Sequence, residues 1–185
     1  MKLRNNTSDN LREETLSSTE LYKGKSFAFY TDLVKLPDGR ESKKDFVLYP
    51  HAVGIIPFID NDTILLIKQF RYPVHQTIYE IPAGKIDDPE ELPVKAAERE
   101  LREETGYESG QLEFLLSYYP CAAYSTEVIH LFKAFNLKKT QTSPDDDEFI
   151  ITEKVPFQKV LEMIKNGEIR DAKTIIALSI IRTLF

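Results

Sequence analysis

Apolar and polar positions alternate in two blocks early in the chain, and each block reads as β-structure. Residues 25–36 (KSFAFYTDLVKL) and 42–50 (SKKDFVLYP) flank Pro37-Asp38-Gly39, the pattern of a hairpin closed by a tight turn. Residues 52–59 (AVGIIPFI) and 63–70 (TILLIKQF) flank Asp60-Asn61-Asp62, which predicts a second hairpin. Tyr79-Glu80-Ile81-Pro82-Ala83-Gly84 then predicts a short strand breaking into a loop. At 92–105 the pattern becomes helical, with Pro93 in the first turn and Gly106 as a left-handed stop. Strands are expected at 111–119, at 127–136 and near 149–155, and helices at 156–166 and 172–184. The last helix carries Ile175, Ile176, Ala177, Ile180, Ile181 and Leu184, a stripe suited to a core. Strands interrupted by a central helix predict an α/β or α+β sandwich. Three regions follow from the pattern: a polar, flexible arm over 1–18, a small β region over 19–50, and a main domain over 51–185.

Composition narrows the possible partners. The 185 residues carry a net charge of −6 and no basic run, which argues against nucleic acid as the main partner. Cys121 is the single cysteine, so no intramolecular disulfide forms, and a reducing, cytoplasmic setting is expected. His51, His75 and His130 show no metal-ligand spacing. The N-terminus has no apolar signal core, and the apolar runs at 52–59 and 174–181 are too short for a membrane span.

The acidic stretch PAGKIDDPEELPVKAAERELREETGY, residues 82–107, carries the candidate chemistry. Each helical residue advances ~100°, which puts Glu100, Glu103 and Glu104 on one face with the small Ala96 and Ala97 a turn earlier. Charged helices are commonly solvated faces laced by i,i+4 pairs, and Glu98–Arg102 and Arg99–Glu103 have that spacing. Glu100 and Glu104, however, are a like-charge i,i+4 pair, which is unfavourable unless a cation offsets it. Oxygen-only clusters of this kind suit hard ions such as Mg²⁺. The loop Ala83-Gly84-Lys85 is placed to bring a backbone carbonyl to the same ion.

Gly84, Glu91, Arg99, Glu100, Leu101, Glu103, Glu104, Gly106 and Tyr107 resemble the Nudix box, G-x5-E-x7-R-E-U-x-E-E-x-G-U, in which U is a bulky apolar residue. The span from Gly84 to Glu91 is one residue longer than the pattern. Either the insertion lies in Asp87-Asp88-Pro89, the placement adopted here, or Glu90 fills the slot. Beyond the box, Ile67–Arg71, Glu80–Lys85 and Gly167–Ala172 look like the ADP-ribose and nucleoside diphosphate sugar pyrophosphatases of that family. This resemblance implies an α/β/α sandwich with a mixed sheet, plus a small N-terminal antiparallel region that makes a homodimer through its strands. It also implies Mg²⁺-dependent cleavage of a nucleotide sugar, such as ADP-ribose or GDP-mannose, into a nucleoside monophosphate and a sugar phosphate.

Further roles follow from the same resemblance. Glu100 and Glu104 would be the main metal ligands with the Ala83 carbonyl, joined by Glu103 and Glu91 directly or through water. Two or three ions are implied, with Mn²⁺ as a substitute for Mg²⁺. Arg99 would brace the glutamates. Glu148, in the acidic loop with Asp146, would be the catalytic base. Arg71 suits the diphosphate or the terminal sugar, because guanidinium grips phosphate bidentately; a structural ion pair is its other reading. Glu80 would orient Arg71 or touch the ligand. The branch's proline, expected four residues before Glu127, is replaced by Ala123, and the nearest proline is Pro120. That leaves nucleotide sugars other than ADP-ribose open. The alternatives to this enzyme are a non-catalytic nucleotide-sugar sensor and a hydrolase of RNA 5′ ends or nucleoside triphosphates.

Overall fold

Two stretches of chain meet in the first compact unit. In the computed structural model, which describes residues 10–86, 88–141 and 149–184, this unit comprises the chain up to Tyr49 together with 121–127. Strands β1 (Glu14–Lys23), β2 (Ala28–Lys35) and β3 (Glu41–Leu48) form an antiparallel sheet in that order. The β2–β3 hairpin turns at Gly39, whose φ of 88° lies in the left-handed region that glycine tolerates. The 121–127 segment is stitched on by the Val47 N–H to the Tyr124 carbonyl (2.7 Å) and the Tyr49 N–H to Thr126 Oγ1 (2.9 Å).

Two sequence expectations change here. Strand β1 begins at Glu14, so residues 14–18 belong to the sheet rather than to a free arm. Its ten residues are all exposed, and a strand that buries neither face has no apolar alternation to betray it. The 51–185 domain also loses 121–127 to the first unit, a pairing between distant segments that no local pattern encodes.

The second unit takes Pro50–Pro120 and Val128–Phe185. Its elements are β4 (Ala52–Pro57), β5 (Thr63–Arg71), β6 (Gln76–Glu80), β7 (Ala83–Lys85), α1 (Pro93–Thr105), β8 (Tyr107–Glu108), β9 (Gln111–Tyr118), β10 (Ile129–Phe135), β11 (Lys138–Lys139), β12 (Ile150–Pro156), α2 (Phe157–Lys165) and α3 (Ala172–Leu184). One sheet runs β7-β4-β10-β9, with β4 and β10 parallel and the other pairs antiparallel. A second runs β12-β5-β6, all antiparallel, and β8 pairs with β11.

The segments 52–59 and 63–70 therefore do not form the hairpin expected of them. Across the turn stand the isolated Phe58–Ile64 bridge and the Ile59 N–H to Thr63 carbonyl hydrogen bond (2.9 Å), while β4 and β5 go to different sheets. Strand β4 is wholly buried and β5 is buried over Ile64–Ile67, and these apolar stretches need apolar neighbours on both faces.

Layering follows from side-chain parity. Val53, Ile55, Phe132 and Ala134 face Ala96, Ala97 and Leu101 of α1. The opposite face, with Ala52, Ile56 and Leu131, joins Ile64 and Leu66 against Val160 and Met163 of α2 and Ala177, Leu178 and Ile181 of α3. Within this unit the order is helix, sheets, helices: the expected α/β/α arrangement with mixed strands. No helix among the described residues is long and apolar enough to cross a membrane.

Candidate active site

Strand β7 lies against α1 so closely that three successive residues each meet one helix side chain. The Ala83 N–H donates to Glu104 Oε2 at 2.9 Å. Gly84 abuts the Glu100 carboxylate, and a Cβ there would come closer to that group than real Cβ contacts ever do. Arg99 Nη2 donates to the Lys85 carbonyl at 3.0 Å. Glycine is required at 84 by this approach, with no unusual backbone angle involved. Along α1 the buried stripe starts apolar and turns acidic: after Ala96 and Ala97 come Glu100, 9% exposed, and Glu104, 4% exposed.

Arg99 is the centre of the cluster. Its guanidinium bonds Glu100 Oε1 at 2.6 Å, Glu103 Oε2 at 3.1 Å and both oxygens of Glu91, at 3.2 and 3.1 Å. The Glu91 hydrogen bonds, then the Glu100 and Glu103 interactions, push its pKa above the ordinary arginine value despite burial. The irregular loop between Gly84 and the helix thus delivers Glu91, whereas Glu90 is exposed and caps onto Asp88 Oδ1 through its own N–H at 2.9 Å. Glu98 bonds Lys95 at 2.8 Å on the exposed side of the helix.

A second charged cluster sits on the β5–β6 pair. Glu80, 1% exposed, accepts from Arg71 Nε at 2.6 Å and Nη2 at 2.8 Å, and also from Lys173 at the start of α3. Lys173 pairs in turn with Asp171 at 3.1 Å. Asp171 accepts from the N–H and hydroxyl of Thr174, and Thr174 Oγ1 accepts the Ile81 N–H at 2.8 Å. Burial alone would raise the Glu80 pKa, but Arg71 and Lys173 outweigh it and hold the carboxylate below its ordinary range. Arg71 is raised, chiefly by its bond to Glu80. Asp171 lies in the Gly167–Ala172 stretch singled out by resemblance, but Lys173 and Thr174 escaped the sequence reading, since contacts 93 residues apart leave no periodic trace.

Of the residues singled out beforehand, the structure brings Ala83, Glu91, Arg99, Glu100, Glu103 and Glu104 together, and it joins Arg71 to Glu80. The expected base, Glu148, lies outside the described residues, as does Asp146. Among the described residues no three acid, imidazole or thiol side chains converge on one point, because Glu91, Glu100 and Glu103 are drawn onto Arg99. The donor set nonetheless fits a hard divalent cation. It is all oxygen, it carries more carboxylates than Arg99 can neutralise, and the missing side chain at Gly84 lets the Glu100 carboxylate lie against the β7 backbone. A cavity of about 1510 Å³, lined by Phe58, Phe135, Phe157 and Lys133 among others, opens elsewhere in this unit and includes none of these carboxylates.

Residues 48–178 match the NUDIX domain. The chain is 36% identical over 170 residues to an ADP-ribose pyrophosphatase of Bacillus subtilis (strain 168), covering 91% of both proteins. It is 37% identical over 167 residues to a methanol dehydrogenase activator of Bacillus methanolicus, covering 89% of this chain and 90% of that protein. It is 37% identical over 130 residues to a GDP-mannose pyrophosphatase of Escherichia coli O139:H28 (strain E24377A / ETEC), covering 65% and 67% respectively. In three dimensions it superposes on the crystal structure of an ADP compounds hydrolase with a TM-score of 0.83, at 21% identity over 93% of each chain.

Two outcomes are expected from this geometry. Gly84→Ala should force the Glu100 carboxylate away from β7 and lower turnover at least about a hundredfold, the scale on which small misplacements act; turnover within threefold of wild type contradicts the close-approach account. Glu80→Gln should be destabilising by about 3–5 kcal/mol near neutral pH, the range for breaking a buried pair. Because the folded pKa is depressed, the Glu80 contribution is present above the ordinary carboxylate pKa and disappears as pH falls through the folded value. Urea unfolding of both proteins from pH 7 to pH 3 checks this: the gap should narrow on acidification, and a constant gap contradicts it.

Proposed function

Because the chain belongs to the NUDIX family, a family of hydrolases that use divalent metal ions, we propose that it is a Mg²⁺-dependent pyrophosphohydrolase of nucleoside diphosphate sugars. The observation that carries this reading is the intact carboxylate set on Gly84: Glu91, Glu100, Glu103 and Glu104 around Arg99. ADP-ribose and GDP-mannose are the leading candidate substrates, in keeping with the names of two of the relatives. The products are a nucleoside monophosphate and a sugar phosphate.

Glu100 and Glu104, with the Ala83 carbonyl, would hold the ions, and Glu103 and Glu91 would complete the set; two or three ions per site are proposed, with Mn²⁺ as a substitute. When bound, divalent ions supply charge neutralisation of the diphosphate and acidify water. Arg99 keeps the carboxylates ionised and on one side of the helix. Arg71, fixed by Glu80 through Nε and Nη2, presents Nη1 to the substrate. Glu148 takes the proton of the attacking water, whose oxygen bonds to one phosphorus while the bridging oxygen leaves with the other phosphate.

The protein is also proposed to be a homodimer through its N-terminal strands, working in the cytoplasm. Strand β1 supports the dimer, being paired on one edge only and exposing Leu16, Leu21 and Tyr22. Unpaired strand edges with apolar side chains seek a partner.

A turnover panel of ADP-ribose, GDP-mannose, UDP-glucose, a dinucleotide and a triphosphate, with products identified, tests the substrate class. Cleavage of a nucleotide sugar is expected, and binding without Mg²⁺-dependent cleavage contradicts it. Glu104→Gln should lower turnover by about 10²–10⁴-fold with the fold intact by circular dichroism. Glu148→Gln should cost more than tenfold, and a smaller loss removes it as base. Sedimentation should read twice 21.3 kDa, and a 21.3 kDa species contradicts the dimer.

A further inference from the structure

Between β6 and β7 the chain passes from one sheet to the other. Strand β6 ends at Glu80 in the β12-β5-β6 sheet, and β7 begins at Ala83 in the β7-β4-β10-β9 sheet. Ile81 and Pro82 make the crossing, and Pro82 brings no N–H with which to anchor it. The Ile81 N–H has left the β6 ladder, whose last pair with β5 is Glu80 with Ile67. Ile81 is fully buried, so that N–H needs a partner inside the protein.

Helix α3 supplies it. The Ile81 N–H donates to Thr174 Oγ1 at 2.8 Å, and the Thr174 hydroxyl donates onward to Asp171 Oδ2 at 2.6 Å. The same Asp171 oxygen accepts the Thr174 N–H at 2.9 Å, a capping bond that fixes Thr174 in the first turn of α3. Thr174 has no exposed surface, so both bonds stand away from solvent. The Ile81 side chain packs over Gly54, where an added Cβ would stand 3.2 Å from Ile81 Cδ1. Past this anchor, the Pro82 carbonyl accepts the Ile55 N–H at 2.8 Å, and the Ala83 N–H meets Glu104. The backbone that approaches the carboxylates is therefore held from α3 just before it reaches them.

We propose that Thr174 is a positioning residue for the cation site: its hydroxyl, through Ile81, sets the Ala83 carbonyl and the Gly84 backbone against Glu104 and Glu100. This rests on the metal reading above. Thr174 is neutral, so its contribution to cation binding is one of position and not of charge. Groups that orient metal ligands from behind commonly change affinity by about ten- to a hundredfold when they are removed.

Thr174→Val removes the hydroxyl and keeps the branched shape, whereas Thr174→Ser keeps the hydroxyl. Mn²⁺ uptake by the substrate-free protein should weaken about ten- to a hundredfold in Thr174→Val and stay within about threefold of wild type in Thr174→Ser. Val160→Ala, a core truncation under α2, is the control for lost stability alone. It should lower the melting temperature and leave Mn²⁺ affinity unchanged. In the metal-free proteins, the Ala83 amide should exchange with deuterium at least about tenfold faster in Thr174→Val than in Val160→Ala. Equal Mn²⁺ affinity in Thr174→Val and wild type, equal weakening in Thr174→Val and Val160→Ala, or no recovery in Thr174→Ser overturns the proposal. Should Thr174→Val fail to fold, exchange in the wild type decides: the Ile81 amide should open together with the Thr174 amide, and independent opening overturns the proposal. A wild type that takes up no Mn²⁺ overturns the metal reading instead, and the Ala83 exchange comparison still judges the positioning.

Discussion

Four carboxylates and one guanidinium share the space beside a glycine, and the architecture of the second unit can be understood from that crowding. Glu100 and Glu104 occupy the buried stripe of α1, where apolar residues would ordinarily stand. Like charges one helical turn apart disfavour the helix by a few tenths of a kcal/mol in water, and more as water is removed. Arg99 relieves part of this repulsion by bonding three of the four acids while its second Nη group ties to the Lys85 carbonyl. The helix can approach β7 this closely only because residue 84 has no side chain. What remains is an excess of negative charge, held in place by apolar packing through Ala96, Ala97 and Leu101. A cation completes such an arrangement.

The cluster around Glu80 makes the contrast clear. There Arg71 and Lys173 face Glu80 and Asp171, so positive and negative charges balance within the chain. Glu80 is almost fully buried and yet keeps its charge, because two cations offset the loss of water. The balance makes this cluster a support. Through Thr174 it also holds the Ile81 N–H, and so it fixes the point where the chain leaves β6 for β7 and the carboxylate site. One cluster balances its charges within the chain, and the other carries an excess of negative charge.

Much of this could be read from the residues alone. Helix α1, its glycine stop and its acidic face follow from local spacing, and α1 runs over 93–105 where 92–105 was expected. The terminal helices and the β2–β3 hairpin were legible for the same reason: their signals lie within one turn or one pleat. What escaped depended on distant partners. The apolar runs of β4 and β5 looked like a hairpin because only the full fold shows that both strands need covering on two faces. Strand β1 was hidden by its full exposure. The choice between Glu90 and Glu91 turned on which side chain the loop presents to Arg99, and the backbone rather than the count of residues decides that.

The central claim is that the acids on Gly84 form a divalent cation site independent of any substrate. Uptake of Mn²⁺ by the substrate-free protein, followed by the loss of the free-ion paramagnetic resonance signal, tests it most directly. Wild-type protein should bind Mn²⁺, and Glu100→Gln should bind it at least about tenfold more weakly, since a lost carboxylate removes both a ligand and a charge. Equal uptake by the two proteins, or none by the wild type, would contradict the account.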